Sequence, residues 1–247
     1  SDYPNKYWLA PAEVAVERFR DNEFDPLGNK KEDFRMNRTV SEYNGKWVIC
    51  KFRPNSGSVR PAYRDDVFIY TYRGADLYFM LAEAFNQLGR RSVVDALINV
   101  GVSAYISEFD MDSEGTYYGD WYGLTPHWTN GSVVYNYSNG TSGIGSRKYG
   151  DRGIRGVECS YSNIGARTFT SDTKSNDEEI LKEMMLEMAC EGKVYPAMIR
   201  VAKRYNKDYS FMAKYISEKY ESTGNATAIY DKIMKGDFFI KWDLGMD

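Results

Sequence analysis

Residues 117–137 crowd seven aromatic side chains into a glycine-rich stretch: Tyr117, Tyr118, Trp121, Tyr122, Trp128, Tyr135 and Tyr137. Tyrosine and tryptophan present a flat apolar face and a polar tip. Sugar rings need that combination, because their C–H faces stack and their hydroxyls require hydrogen-bond partners. Eleven of the chain's 21 glycines lie between Gly115 and Gly165, where they let backbone amides approach a ligand closely. No lysine or arginine occurs from Ser113 to Ser146, which suits a neutral ligand. The seven aromatics are the candidate ligand-binding set. The alternative is a satellite core beneath a long loop.

The remaining chemistry is sparse. His127 is the chain's one histidine, so a multi-histidine metal site is excluded and a histidine-based triad would have to use it. Set between Pro126 and Trp128, it reads as a loop histidine. Asp110, Asp112 and Glu114 match the first half of a calcium loop, yet the closing position is Trp121 instead of a bidentate glutamate, and a plain acidic turn is expected. Gly150-Asp151-Arg152-Gly153-Ile154-Arg155-Gly156 carries glycine at every third position. With no helix evident after it, it reads as a tight solvated turn and not as a phosphate cradle. Three widely spaced cysteines, Cys50, Cys159 and Cys190, make neither a zinc pattern nor a disulfide framework. One bridge, Cys50 to Cys159, stays open. Cys190 follows Met188 and Ala189 and reads as a buried small hydrophobe. Glu83, Glu187 and Glu191 stand in apolar helical stretches, where pairing with arginines such as Arg73 and Arg200 is expected. No catalytic residue, metal ligand or cofactor is expected, so the chain reads as a binder and not an enzyme.

These residues need a scaffold, and the chain's patterning points to a mainly α one. With 247 residues, 43% hydrophobic and 15% aromatic, it has the apolar content for a sizeable core and too much for intrinsic disorder. Its 32 basic and 35 acidic residues give a formal charge of −3, which offers no general pull toward nucleic acid or anionic lipid. No apolar run approaches the roughly 20 residues of a membrane helix. Residues 1–247 read as a single region. Within it, 1–62 is mostly irregular, with a short helix over 11–20 and a strand over 47–52. Residues 63–110 read as a helical hairpin. There Leu77, Met80, Leu81, Ala84 and Leu88 form one stripe at helical spacing, broadened by Ala75, Phe79, Ala82 and Phe85, with Gly89 at the C-terminal cap. Apolar on more than one side, this helix is expected between neighbours. Residues 111–172 form a long irregular insertion that holds the aromatics. Residues 173–247 return to helix, capped by Asn176 or Asp177, broken or kinked at Gly192 and Pro196, and end in an apolar extended segment over 238–242. Helices are expected near 73–88, 92–105, 178–204, 209–221 and 226–234, with the first pair antiparallel and little sheet.

Tyr72-Arg73-Gly74-Ala75-Asp76-Leu77-Tyr78-Phe79-Met80-Leu81-Ala82-Glu83-Ala84-Phe85-Asn86-Gln87-Leu88-Gly89 resembles the hallmark helix of the SusD/RagB family, with its arginine, its LMxAEAxN core and its closing glycine. Asp95-Ala96-Leu97-Ile98-Asn99 is similar to the family's next helix. Leu181, Glu183, Glu187, Ala189, Glu191, Gly192 and Arg200 resemble a second signature, and Asp33-Phe34-Arg35 with Thr39 resembles the upstream DxR…T segment. The resemblance implies an all-helical, tetratricopeptide-like scaffold with long irregular loops. It also implies a surface-exposed lipoprotein of the outer membrane of Gram-negative bacteria. Such proteins capture glycans, or sometimes peptides, and deliver them to a TonB-dependent outer-membrane transporter. On that reading the membrane is reached only through an N-terminal lipid anchor not contained in these residues, and the N-terminal half of the family's scaffold is not contained in them either. The chain departs from the family at Met184 and Met185, where arginines are common. It departs again at Pro196-Ala197, which interrupts the second signature, and at Gly101-Val102-Ser103-Ala104, which replaces an arginine-rich stretch. Two other functions stay open on the sequence: a helical-repeat scaffold that binds peptide or protein, and a carboxylate-based glycoside hydrolase.

Overall fold

The computed structural model describes residues 10–20, 23–24, 30–31, 33, 35–43, 45–51, 71–100, 153–158 and 166–238. Of these, 67% are helical and few are in strands, so the chain is mainly α. Helix α1, Glu13–Arg20, turns Val16 and Phe19 inward. Two short antiparallel ribbons follow, β1 (Glu23–Phe24) with β2 (Lys30–Lys31) and β3 (Val40–Tyr43) with β4 (Lys46–Ile49). In the second ribbon Val40 pairs with Ile49 and Tyr43 with Lys46, and Gly45 takes the left-handed φ of +71° that closes the turn. A short helix α2, Arg35–Thr39, stands between the ribbons. Val16, Phe19, Met36 and Val40 close a small core with Leu186 from much later in the chain.

Helix α3, Gly74–Gln87, follows the expected boundaries, and of its two expected apolar sides the one with Ala75, Phe79, Ala82 and Phe85 meets the core. It buries Asp76, Phe79, Ala82, Glu83 and Asn86. Three residues of the stripe look outward, Leu77 at 59%, Met80 at 47% and Leu88 at 69% exposed, while Leu81 packs against the main core. The cause is chemical. Asp76, Glu83 and Asn86 find charged and amide partners on later helices, so a polar face can be buried, and apolar periodicity cannot register that. Phe79 and Ala82 join the main core, and Ala75 and Phe85 pack against it.

Past Gly89, left-handed at φ +72°, the chain folds back as α4, Arg91–Asp95. The helix then widens into a π turn over Ala96–Val100. Ala96, Leu97, Ile98 and Asn99 are all buried, four in succession, because this turn has α3 on one side and helix α5, Gly153–Glu158, on another. Helix α5 corrects the expectation of a solvated turn over 150–156. Ile154 and Arg155 are only 6% and 3% exposed, and the arginine is inside because a carboxylate awaits it there. The irregular insertion is therefore shorter than 111–172.

Helix α6, Thr173–Glu187, begins earlier than expected. Its cap is Asp172, whose Oδ1 accepts from Lys174 N at 3.0 Å. Asn176 and Asp177, expected as caps, lie one turn inside and turn their side chains to the interior instead. The stretch 178–204 is two helices, parted near Gly192 where a break or kink is expected. Residues 188–193 turn the chain, with Cys190 at φ +65° and Gly192 at φ +73°, before α7, Val194–Arg204. Pro196 falls in the first turn of α7, where its missing N–H breaks no bond. Then come α8 (Ser210–Ser217), a 3-10 stretch (Glu218–Thr223) ending at left-handed Gly224, and α9 (Ala226–Met234). From α6 onward each helix packs on the next. Ile180, Leu181 and Met184 of α6 enter the main core while Leu186 enters the small one, so α6 ties the two together.

Candidate functional site

The polar interior of the scaffold is one feature the sequence places in separate segments and the fold brings together. Glu183 and Glu187, one helical turn apart on α6, share a face. Arg35 of α2 reaches both, its Nη1 lying 2.7 Å from Glu183 Oε1 and 3.3 Å from Glu187 Oε2. The same guanidinium holds Asp33 through Nη2 at 2.6 Å and Nε at 3.0 Å. Glu183 also accepts from Arg155 of α5 and from Arg167 Nε at 2.9 Å. Arg73, just before α3, bonds Glu187 Oε1 at 2.6 Å and Glu191 Oε1 at 2.8 Å, and Lys51 meets Glu191 at 2.7 Å. These contacts join segments near residues 33–35, 51, 73, 155, 167 and 183–191.

A second cluster ties α3, α6 and α7. Glu83 accepts from Arg200, and from Arg204 Nη2 at 3.0 Å. Arg204 also bonds Asp177, which takes Asn86 Nδ2 at 2.7 Å, Gln87 Nε2 at 3.0 Å and Tyr205 Oη at 2.9 Å. The expected pairing of Glu83, Glu187 and Glu191 with Arg73 and Arg200 is thus present. The roles of Asp177, Arg155, Arg167 and Arg204 were not read from sequence, because their partners lie on other elements.

Electrostatics gives these carboxylates a cohesive role. Burial alone would raise the Glu183 carboxyl, but Arg35, Arg155 and Arg167 outweigh it and hold the group well below the usual carboxylate range. Asp33 is likewise lowered by Arg35 against the pull of burial. Among the described residues, no group of three histidine, cysteine, aspartate or glutamate side chains is placed to hold a metal ion. No helix among them is long and apolar enough to cross a membrane.

Two clefts adjoin this framework. One, of about 240 Å³, is lined by Arg73, Ala75, Tyr78, Ile154 and Glu187 together with Gly74 and Gly153. It lies beside the place where the chain leaves the described scaffold at Val100 and rejoins it at Gly153, since α5 packs along the π turn. The other, of about 400 Å³, lies between the α3–α4 turn and the approach to α6.

All seven aromatic candidates, Tyr117, Tyr118, Trp121, Tyr122, Trp128, Tyr135 and Tyr137, lie outside the described residues. So do His127, the acidic run Asp110–Glu114, Cys159 and most of 238–242. Phe238 itself docks edge-on against Tyr209, with ring centroids 4.9 Å apart. Cys190 corrects its expectation: it is exposed, because the left-handed turn that ends α6 carries it away from the core. Comparison with protein-family models, with curated proteins and with solved structures finds no match for this chain.

Proposed function

We propose that this chain is part of a SusD/RagB-like surface lipoprotein that captures a glycan for a TonB-dependent outer-membrane transporter, without turning it over. The observation that carries the reading is the convergence of the residues that resemble the family. Asp33 and Arg35, Arg73 and Glu83, and Glu183, Glu187, Glu191 and Arg200 come from three separate stretches, yet they bond across α2, α3, α6 and α7. A tetratricopeptide-like scaffold is supported by the order in which α6, α7, α8 and α9 each pack on the next. The aromatic and glycine-rich stretch over 117–137 supports a glycan as the ligand, with Trp121 and Trp128 as the leading contacts.

Among the described residues, the buried Asp33, Glu83, Asp177 and Glu183 are engaged by arginines, whereas a glycosidase acid needs an environment that raises its pKa. That supports binding over hydrolysis. A second reading, a scaffold that binds peptide or protein, is favoured by the exposed stripe of Leu77, Met80 and Leu88 on α3. On the family reading the same stripe is where the N-terminal helices of the scaffold pack.

The test is a screen of the full chain against soluble glycans by affinity electrophoresis, followed by calorimetry on Trp121→Ala and Trp128→Ala. Aromatic stacking is worth about 1–3 kcal/mol by analogy with nucleobases, so each variant should bind roughly 5- to 150-fold more weakly at an unchanged melting temperature. Variants that lower the melting temperature while affinity stays intact would make the stretch a satellite core. Release of reducing ends from any polysaccharide would overturn the non-enzymatic reading.

A further inference from the structure

Two of the chain's three cysteines, Cys50 and Cys190, lie on segments that the fold docks together. Cys50 follows β4, and its N–H donates to Thr39 O at 2.9 Å, which ties it to the β3–β4 ribbon. Cys190 stands in the turn between α6 and α7. Lys51 joins the two segments: its Nζ donates to Glu187 O at 2.6 Å and pairs with Glu191 Oε1 at 2.7 Å. The cysteines therefore flank one ion pair, Cys50 directly before the lysine and Cys190 directly before the glutamate. Both are free thiols, Cys50 half-buried and Cys190 exposed.

Cys50 Sγ donates to Asn37 O at 3.8 Å, a weak sulfur hydrogen bond that a covalent partner readily replaces. Cys190 takes a left-handed φ of +65°, which glycine adopts with less strain, and that turn keeps its side chain out of the core. The electrostatics agrees with this placement. Burial pushes the Cys190 thiol up, the Lys51 cation opposes that, and an ionised Cys50 pushes it up further. Two thiols that feel each other's charge beside a shared cation are placed for redox chemistry, and the lysine favours the thiolate that starts it. A disulfide sets its two Cα atoms about 4.4–6.8 Å apart, and the parts that adjust to it here are a strand end and a surface turn, not the core.

We propose that Cys50 and Cys190 form a reversible disulfide that staples the β3–β4 ribbon to the α6–α7 turn, with a low-molecular-weight disulfide as the oxidant. The Cys190 thiolate attacks one sulfur of that oxidant and displaces its other half as a thiolate. Cys50, deprotonated in turn, attacks the Cys190 sulfur of the mixed disulfide and displaces the second half. The two protein thiols lose two electrons and two protons, and the oxidant gains them as two small thiols. The bridge closes a long stretch of chain, whose restriction in the unfolded state stabilises the fold. None of this depends on the glycan reading. The test incubates the reduced, folded 247-residue chain with oxidised glutathione at about pH 8, where thiols begin to ionise. Remaining thiols are trapped with a maleimide, and unreduced peptides are mapped by mass spectrometry. A peptide linking Cys50 to Cys190 is expected, with Cys159 alone alkylated. The melting temperature should rise on oxidation and return with dithiothreitol. Cys159→Ser should form the bridge as the wild type does, whereas Cys50→Ser and Cys190→Ser should show no rise. Linkage of either cysteine to Cys159, or mixed disulfides with glutathione that never resolve, overturns the inference. So does a bridge that forms no faster in the folded chain than in urea, since it would then owe nothing to the fold.

Discussion

Glu183→Gln tests the ion-pair architecture at its centre. The side chain is fully buried and accepts from Arg35 at 2.7 Å, from Arg167 at 2.9 Å and from Arg155. Glutamine keeps the shape but turns one acceptor oxygen into a donor that faces a guanidinium. Each hydrogen bond to a charged group is worth roughly 1.5–3 kcal/mol, and such terms do not add. Breaking a buried pair by removing one partner costs about 3–5 kcal/mol as a unit, because the other charge stays inside uncompensated. Against a total stability of about 5–15 kcal/mol, that is a large share. At roughly 2–4 °C per kcal/mol for a chain of this size, the melting temperature should fall by about 6–20 °C. Calorimetry at neutral pH reads it. Lys232→Gln is the control, since its pair with Asp237 is 57% and 64% exposed and exposed pairs contribute under about 1 kcal/mol. If the two variants melt alike, the reasoning is wrong. The acid limb gives a second reading. A carboxyl depressed in the folded state contributes stability that is complete above its ordinary value, 4.5 for Glu183, and is lost as pH falls through the folded value. Asp33, depressed from 3.8, acts in the same direction. The wild-type melting temperature should therefore drop steeply below pH 4.5, and Glu183→Gln should flatten that limb.

Other outcomes follow from single features. Leu77→Lys with Leu88→Lys should change the stability of this chain by no more than about 0.5 kcal/mol per site, since both side chains are exposed, and denaturant titration measures it. A loss of several kcal/mol would mean that the stripe is covered. Asp172→Ala removes the α6 cap and should cost about 0.5–2 kcal/mol in the same assay. Cys190→Gly relieves a left-handed non-glycine residue at φ +65° and should leave the chain equally or more stable, by up to about 1 kcal/mol. The exposed Cys190 thiol should take up a maleimide in the folded protein, as read by mass spectrometry.

Element positions were legible where apolar spacing and punctuation agreed. Gly89 stops α3 as expected, and Gly224 and Gly236 close later helical stretches in the same way, all at positive φ. Facing was legible on one side of α3 only. The pattern ranks Leu77 and Leu88 above Glu83 and Asn86, and the fold reverses that order because Arg200, Arg204 and Asp177 complete the polar side. The start of α6 was misplaced for a related reason: Asn176 and Asp177 look like caps, but their side chains are claimed by Asn86 and Arg204. Helix α5 was hidden because a glycine-rich, arginine-bearing run carries no apolar signal, and only the presence of Glu183 makes Arg155 an interior residue. By contrast, Arg73 with Glu187 and Glu191 was readable, since charges in apolar helices must find partners.

The packing of α5 along the π turn brings the ends of the stretch 101–152 to neighbouring points on one scaffold. Two anchors so placed on one frame allow the sequence between them to be exchanged. Closing a longer or shorter segment between the same two anchors changes the chain-entropy cost by only about 0.6 kcal/mol per doubling of length. Sequence between the anchors can drift, lengthen or be swapped while the ion-paired frame beneath keeps its own stability. On the proposed glycan reading, ligand choice and fold evolve on separate clocks, and a short glycine linker from Val100 to Gly153 is the natural way to prepare the frame alone.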